Sequence, residues 1–166
     1  MVESIRLRTV EKSDIPFLHK LFNDKNIMDF WLEEPYFSLE KIENIFKKDA
    51  ESKRNFIVTN DKDEQIGLVG LYNIDFRHLH AEFAIAFDPL QQGKGLATRA
   101  SKLLLDYAFL TLNLHKVYLI VLTSNEKAIH IYEKLGFQTE GVLKKHFYVN
   151  GKYEDGLMMG IFQDDY

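Results

Sequence analysis

Three observations predict an α+β fold with a mixed central β-sheet flanked by helices. Period-two hydrophobic patterns cluster in the middle of the chain instead of alternating strictly with helical segments. Amphipathic patterns of helical spacing stand on both sides of that cluster. Near the C-terminus, Asn150-Gly151 lies between two short apolar runs, the strongest two-residue hairpin signal. The resulting order is β-α-α-β-β-β-α-β-α-β-β.

Ile5-Arg6-Leu7-Arg8 alternates with period two and reads as the first strand. Ser13-Asp14 offers capping side chains ahead of a helix that carries Phe17, Leu18, Leu21 and Phe22 on one face. Ser38 caps a second helix, with Leu39, Ile42, Ile45 and Phe46 at helical spacing. The stretch Ile27–Phe37 between them fits no simple period and is expected to be an aromatic, acidic loop. Phe56-Ile57-Val58 and Ile66–Ile74 flank the polar turn Asn60–Glu64, a hairpin signature. Ala81, Phe83, Ile85 and Phe87 alternate with smaller or polar residues in a further strand, which Pro89 stops. A long amphipathic helix is expected over Gly95–Leu112, followed by a buried strand over Val117–Leu122. Asn125–Leu135 forms the next helix, with Gly136 as its C-cap. Phe147–Val149 and Lys152–Tyr153 then form the closing hairpin.

Composition narrows the function. The chain of 166 residues fits one domain, and 46% hydrophobic content supplies a sizeable core. A formal charge of −4 argues against a nucleic-acid partner held by a general basic surface. With no cysteine, disulfide scaffolds, thiolate zinc sites and Cys nucleophiles are excluded. Six histidines are scattered and only His78 and His80 lie close, so no metal site is expected. The longest apolar run, Val117–Leu122, has six residues, far short of the roughly 18 that span a bilayer. Residues 1–6 lack the apolar stretch of a signal peptide. A soluble, cytoplasmic, single domain over residues 1–166 is the expectation.

The segment Asp88-Pro89-Leu90-Gln91-Gln92-Gly93-Lys94-Gly95-Leu96-Ala97 joins a strand to the long helix. Its glycines permit a tight turn and close backbone approach to a ligand. The helix behind them offers unpaired N–H groups and a positive dipole end, which suit a phosphate or pyrophosphate. Lys94 adds a mobile positive charge. The same segment also reads as an ordinary strand-to-helix turn. It lacks the P-loop and dinucleotide patterns, so the phosphate carrier is expected to be neither ATP nor NAD. On the preceding strand Glu82 occupies the face opposite Phe83, Ile85 and Phe87, either as a proton acceptor or as a solvent-facing charge. Tyr132 shares a helical stripe with Ile129 and Leu135, a pattern that by itself reads as core.

Gln92-Gly93-Lys94-Gly95-Leu96-Ala97 matches the Q-x-x-G-x-[GA] signature of the GNAT acetyltransferase superfamily, and the element order resembles that fold nearly end to end. Asn125–Phe137 resembles the family's N-x-x-A-x-x-x-Y-x-x-x-G-F element. Phe30–Tyr36, Asn113–Leu119 and Phe147–Tyr153 closely resemble the bacterial spermidine N-acetyltransferases, over roughly Ile5 to Gln163. The resemblance implies acetyl-CoA as co-substrate, with no metal. It implies that Gln92, Gly93, Lys94, Gly95, Leu96, Ala97 and Thr98 hold the pyrophosphate, and that Asn125 and Ala128 meet the acyl carrier's arm. Backbone N–H groups around Ile85, Ala86 and Phe87 polarise the thioester carbonyl in this reading. Tyr132 is the implied general acid, with Glu82 as the base that takes the amine proton directly or through water.

The segment Asp29–Glu51 has seven acidic residues against three lysines, a balance that attracts a small polycationic amine. It also suits a solvated helix face, since Glu43 and Lys47 stand four residues apart. By resemblance, Met28, Trp31, Glu33, Glu34 and Tyr36 are the expected substrate-binding residues, with Trp31 and Tyr36 as cation–π faces. Where the spermidine enzymes' regulatory site has further carboxylates, this chain has Lys41, Gly70 and Asn73, and Asp49 replaces a histidine. Weakened regulation is therefore expected. The implied assembly is a homo-oligomer, on the pattern of a dodecamer, without nucleic acid or membrane. Two other readings stand beside it: transfer to a protein N-terminus or an aminoglycoside-like amine, and a non-catalytic module that binds acyl-CoA or polyamine. Against the last stands the intact Tyr132.

Overall fold

Apolar side chains alternate through the central segments and join one mixed sheet of seven strands among the described residues. The computed structural model describes residues 4–31, 34, 36–47 and 51–166. The strands are β1 (Arg6–Thr9), β2 (Arg54–Thr59), β3 (Gln65–Asp75), β4 (His80–Phe87), β5 (Lys116–Leu122), β6 (Gln138–Val149) and β7 (Lys152–Phe162). They lie in the order β1-β2-β3-β4-β5-β7-β6, antiparallel except for the β4–β5 pair. The described helices are α1 (Ile15–Leu21), α2 (Lys25–Trp31), α3 (Leu39–Lys47), α4 (Leu96–Asp106) and α5 (Glu126–Leu135).

Each face of the sheet carries its own core. Ile57, Leu68 and Ala86 pack with Leu18, Leu21, Phe22 and Ile42 under α1–α3. Val58, Val69, Leu71, Phe83 and Phe87 point the other way, against Leu96, Ala100 and Leu104 of α4 and against Phe137. Burial of each Val, Leu, Ile or Phe among them contributes about 1.5–3 kcal/mol. The two layers place α1–α3 on one side of β4 and α4–α5 on the other.

The helical layers depart from the sequence reading in instructive ways. Ile27–Trp31, expected as the start of the loop Ile27–Phe37, belongs to a helix, Lys25–Trp31. Its first turn is set by Asp24, whose carboxylate accepts from the Asn26 amide at 2.9 Å and whose carbonyl accepts from Met28. Two turns with Ile27 and Met28 as the buried pair are too short to display a helical period. Asp14 does not cap α1 with its side chain. Its fully buried carboxylate accepts two bonds from Arg8 at 2.7 Å, one from the Glu11 amide and one from Gln65, tying α1 to β1 and β3. Burial works against that charge, but these donors outweigh it and hold Asp14 below the usual carboxylate range. Ser38, by contrast, caps α3 as expected, accepting from the Lys41 amide at 3.1 Å.

The helix expected over Gly95–Leu112 is α-helical only to Asp106 and then widens into a π turn, Tyr107–Thr111, with the Leu112 amide bonded to the Tyr107 carbonyl. The closing hairpin is far longer than Phe147–Tyr153. Register shifts between Thr139 and Gly141, and between Leu143 and Phe147, break the two-residue period along an exposed edge strand. At its tip Asn150 and Gly151 both take positive φ, +50° and +83°, as a two-residue hairpin turn requires.

Candidate active site

The site begins where β4 and β5 part. They pair at three positions, His80–Lys116, Ala81–Val117 and Glu82–Tyr118, while β4 runs on to Phe87 and β5 to Leu122. Beyond Glu82 the backbone edge of β4 faces a gap. The Asp88 amide donates to Ile66 on β3, so by the two-residue alternation of the ladder Ala86 and Ala84 also turn their N–H groups toward β3. Ile85 and Phe87 therefore aim theirs into the gap. Of the three backbone donors expected there, Ala86 is engaged on the other side.

A cleft of about 620 Å³ passes through this gap. Glu82 and Tyr72, paired across β3 and β4, enter it from the α1–α3 side. Tyr132 of α5 enters from the opposite side, its ring edge-on to Phe83 and Phe137 at 5.9 and 5.8 Å. The two titratable groups singled out from sequence thus lie on opposite layers and meet in one cleft. Asn73 donates to one Glu82 oxygen at 2.9 Å and leaves the other for a second partner. Burial pushes the Tyr132 phenol up to about 12. Tyr118 is raised too, first by burial and then by the charge of Glu82.

At the C-terminal end of β4, the Asp88 carboxylate accepts from the Leu90 amide and from Lys20 Nζ, each at 3.0 Å. Burial opposes its charge, but those two bonds prevail and its pKa is lowered. This fixes the start of the glycine loop. Gly93 and Gly95 take φ of +81° and +70°, and a Cβ on either would meet nothing within 4 Å. Gln92, Gly93, Lys94 and Gly95 are exposed, with Lys94 bonded to Gln91 Oε1 at 2.8 Å. Leu96 is buried in the core, and Ala97 and Thr98 are half-buried in the first turn of α4. Open space above two left-handed glycines, ahead of an 11-residue helix with free first-turn amides, fits a pyrophosphate.

Asn125 is the N-cap of α5, its Oδ1 accepting from the Ala128 amide at 3.3 Å, which leaves its amide NH₂ as a donor for a ligand. Ala128 itself packs against the core.

On the α1–α3 side, Trp31 lines the cleft and stands edge-on to Phe22 at 5.4 Å. Met28 is 4% exposed within the core beneath α1–α3. Glu34 is exposed and Tyr36 is 90% exposed with φ of +71°. Neither of these borders the cleft. Glu33, and with it Asp49, lies outside the described residues. Sequence reasoning missed the aromatic wall, Phe22, Phe37, Phe46, Tyr72 and Phe147, and the Asn73 bond to Glu82. Phe22 and Phe46 carried a helical signal, which read as core. Asn73 stands out in the sequence only as a departure from the regulatory pattern and Phe147 only as part of the closing hairpin, and neither position points to the cleft. Among the described residues no group of three His, Asp or Glu side chains is arranged to hold a metal ion, and no helix is long and apolar enough to cross a membrane.

The family model "Acetyltransferase (GNAT) domain" matches residues 4–138. Spermidine N(1)-acetyltransferase of Escherichia coli K12 is 47% identical over 98% of this chain and 88% of its own length. The crystal structure of spermidine N-acetyltransferase from Vibrio cholerae in complex with CoA and spermine superposes with a TM-score of 0.95 at 43% identity, covering 98% of this chain and 97% of that one. A dodecameric structure of spermidine N-acetyltransferase from Vibrio cholerae superposes with a TM-score of 0.86 at 42% identity, covering 98% and 95%.

Proposed function

The chain belongs to the GNAT acetyltransferase family, and we propose from that premise that it is an acyltransferase moving the acetyl group of acetyl-CoA to a primary amine of a polyamine such as spermidine or spermine. The observation that carries this is the gap between β4 and β5, which opens Glu82 toward one layer and Tyr132 toward the other. Acetyl transfer needs that arrangement: an amine entering from one side, a thioester from the other, and a proton taken at one end and given at the other. The likeness to spermidine N-acetyltransferases over nearly the whole chain supports the choice of acceptor.

Each residue then has a task. At pH 7 only about one in 10³ alkyl amines is neutral, so the proton must be removed before attack. Glu82 accepts it, steered by the Asn73 bond. The Ile85 and Phe87 amides face the carbonyl oxygen as negative charge develops on it. Tyr132, its phenol pushed up to about 12 by burial and so neutral at physiological pH, returns a proton to the departing thiolate. That transfer is uphill in water, but the same desolvation that raises the phenol also raises the thiol. Gly93 and Gly95 let the loop amides close on the pyrophosphate, and Lys94 adds charge. Trp31 offers an aromatic face to the acceptor's ammonium groups, while Glu33 and Glu34 attract it at longer range.

One domain carries both halves of the site, acts in the cytoplasm where acetyl-CoA is made available, and assembles as a higher homo-oligomer on the pattern of the dodecameric relative. The test is thiol release from acetyl-CoA across a panel of polyamines, peptides with free N-termini and aminoglycosides. Turnover with spermidine or spermine above all others is the expected result. Turnover confined to a peptide or an aminoglycoside would move the acceptor to another class, and release only without an amine would remove transferase activity.

A further inference from the structure

One polar side chain of the cleft has no part in the transfer described above. His146 of β6 is exposed and lines the cleft in company with Glu82, Tyr72 and Trp31. A break in the ladder puts it there. Leu143 pairs with Gly156 and Phe147 with Glu154, so Lys144, Lys145 and His146 stand opposite Asp155 alone. The bulge is pinned at its centre. Lys145 takes a φ of +48°, uncommon for a lysine, and its amide donates to Asp155 Oδ1 at 2.7 Å. The Asp155 carbonyl in turn accepts from the amide and hydroxyl of Thr123, just past the end of β5. Phe147 fixes the other side of His146. Its ring stands edge-on to the imidazole at 4.9 Å and packs so closely on Gly156 that a Cβ there would strike it. Among the described residues neither ring nitrogen of His146 has a hydrogen-bond partner. A polar ring is thus held at the cleft with its bonding capacity unused.

We propose that His146 is a specificity-determining residue: its neutral imidazole accepts a hydrogen bond from an ammonium group behind the acceptor's reacting nitrogen, and so favours a polyamine over a monoamine. The inference rests on the acetyltransferase reading of the cleft and adds the residue that reads the acceptor's second charge. A neutral imidazole presents one acceptor nitrogen, and an ammonium donor makes the stronger, charge-assisted kind of bond. A monoamine with an apolar stem has nothing to offer it. Protonation reverses the contact, since an imidazolium only donates and repels a cation. Other charged groups stand near. The bulge itself adds Lys144 and Lys145, and β7 adds Asp155 and Glu154, the latter paired with Lys152 at 3.2 Å. Glu82, Tyr72, Tyr132 and Lys41 are the titratable groups elsewhere around the cleft. Carboxylates, ammonium groups and phenols ordinarily keep one charge state between about pH 6 and pH 7.5, and imidazole is the type that changes. Preference for the polyamine therefore fades as the pH falls through that interval.

The experiment measures KM for spermine, spermidine and hexylamine, which has one charge and an apolar stem, with acetyl-CoA as donor. It compares the full-length parent with His146→Leu and His146→Gln at about pH 6 and pH 7.5. The ratio of the hexylamine KM to the spermine KM reads the preference and cancels the pH dependence that all reacting amines share. In the parent this ratio should fall several-fold on going to the lower pH. His146→Leu should raise the spermine KM about tenfold at the higher pH and the spermidine KM with it, leaving hexylamine within about twofold. Its ratio should then be level with pH, while kcat and the KM for acetyl-CoA stay near the parent's. His146→Gln keeps an uncharged acceptor oxygen, so it should retain more of the preference than His146→Leu and hold it at the lower pH. Asp155→Ala releases the bulge, and in that background His146→Leu should lose most of its effect on the ratio. An unchanged spermine KM in His146→Leu would overturn the inference. So would equal KM shifts for hexylamine and spermine, which mark a reshaped cleft, or a pH-dependent ratio that survives in both variants. Absence of any amine acetylation by the parent is a separate outcome, which overturns the acetyltransferase reading and this inference with it.

Discussion

Burial raises the Tyr132 phenol to about 12, and that value decides which proton role the residue can hold. A group protonated across the whole working range is suited to donate and unsuited to accept. Tyr132→Phe keeps the ring contacts with Phe83 and Phe137 and deletes only the hydroxyl. The expected outcome is a folded protein with kcat lowered by about 10²–10⁴, measured under conditions where chemistry limits turnover. Glu82 leads to a prediction in pH. An alkyl ammonium titrates near 10.4, so an assisting base matters most at neutral pH and least where the amine is already free. The rate ratio of parent to Glu82→Gln should therefore narrow steadily from pH 7 to pH 10. Over that range Tyr132 causes no alkaline fall, because burial lifts the midpoint of its ionisation to about 12, well above it. A constant ratio across these pH values would assign the base to another group. Both residues were legible in the sequence through motif and alternation. Asn73, which holds Glu82 in place, was not: it reaches Glu82 across a strand turn, with its own φ at +49°, and no period records such a bond.

Among the elements, β4 was readable because it alternates, and β2 and β3 because two apolar runs flank the polar Asn60–Glu64 turn, which like Asn150-Gly151 carries its own chemistry. What escaped was whatever lacked a local period: the two-turn helix Lys25–Trp31, the π turn after Asp106, and the bulged edge strand Gln138–Val149. The parting of β4 from β5 also left no trace, since a parallel pairing joins segments over thirty residues apart and its end point depends on both. The glycine loop is an element whose conformation and function can be separated. Valine at position 95 finds open space for its Cβ but must adopt φ near +70°, which costs about 1–2 kcal/mol for a left-handed L-residue and more for a β-branched one. Asparagine tolerates that region and so tests close approach alone. Gly95→Val should lower the melting temperature by a few degrees and weaken acetyl-CoA binding at least tenfold by calorimetry. Gly95→Asn should keep the melting temperature near the parent's and still weaken binding. Parent-like affinity in both would take this loop out of the site.

At the scale of the whole molecule, the sheet divides labour between its faces. The α4–α5 layer holds the glycine loop and Tyr132, while the α1–α3 layer holds the aromatic wall of the cleft. One contact joins the acceptor layer to the far end of the chain: Asn150 Nδ2, at the tip of the β6–β7 hairpin, donates to Asp29 Oδ2 on α2 at 3.0 Å. The same hairpin sends Phe147 into the cleft that Trp31 of α2 also lines, so the tie at its tip links two elements of that lining. An exposed bond of this kind is worth about 0.5–1.5 kcal/mol at most, and its loss leaves the fold standing. Its effect on the site should be one-sided. Asp29→Ala frees the hairpin tip from α2 without touching the sheet, α4 or the glycine loop. The expected outcome is a KM for the amine raised several-fold, with the acetyl-CoA dissociation constant held within twofold. Substituting Asp29 is the better choice, because Asn150 also sustains a positive φ of +50° in the turn and its replacement would disturb the hairpin itself. If Asp29→Ala moved both constants together, the two layers would be coupled through the hairpin, and the division of labour between the faces of the sheet would fail.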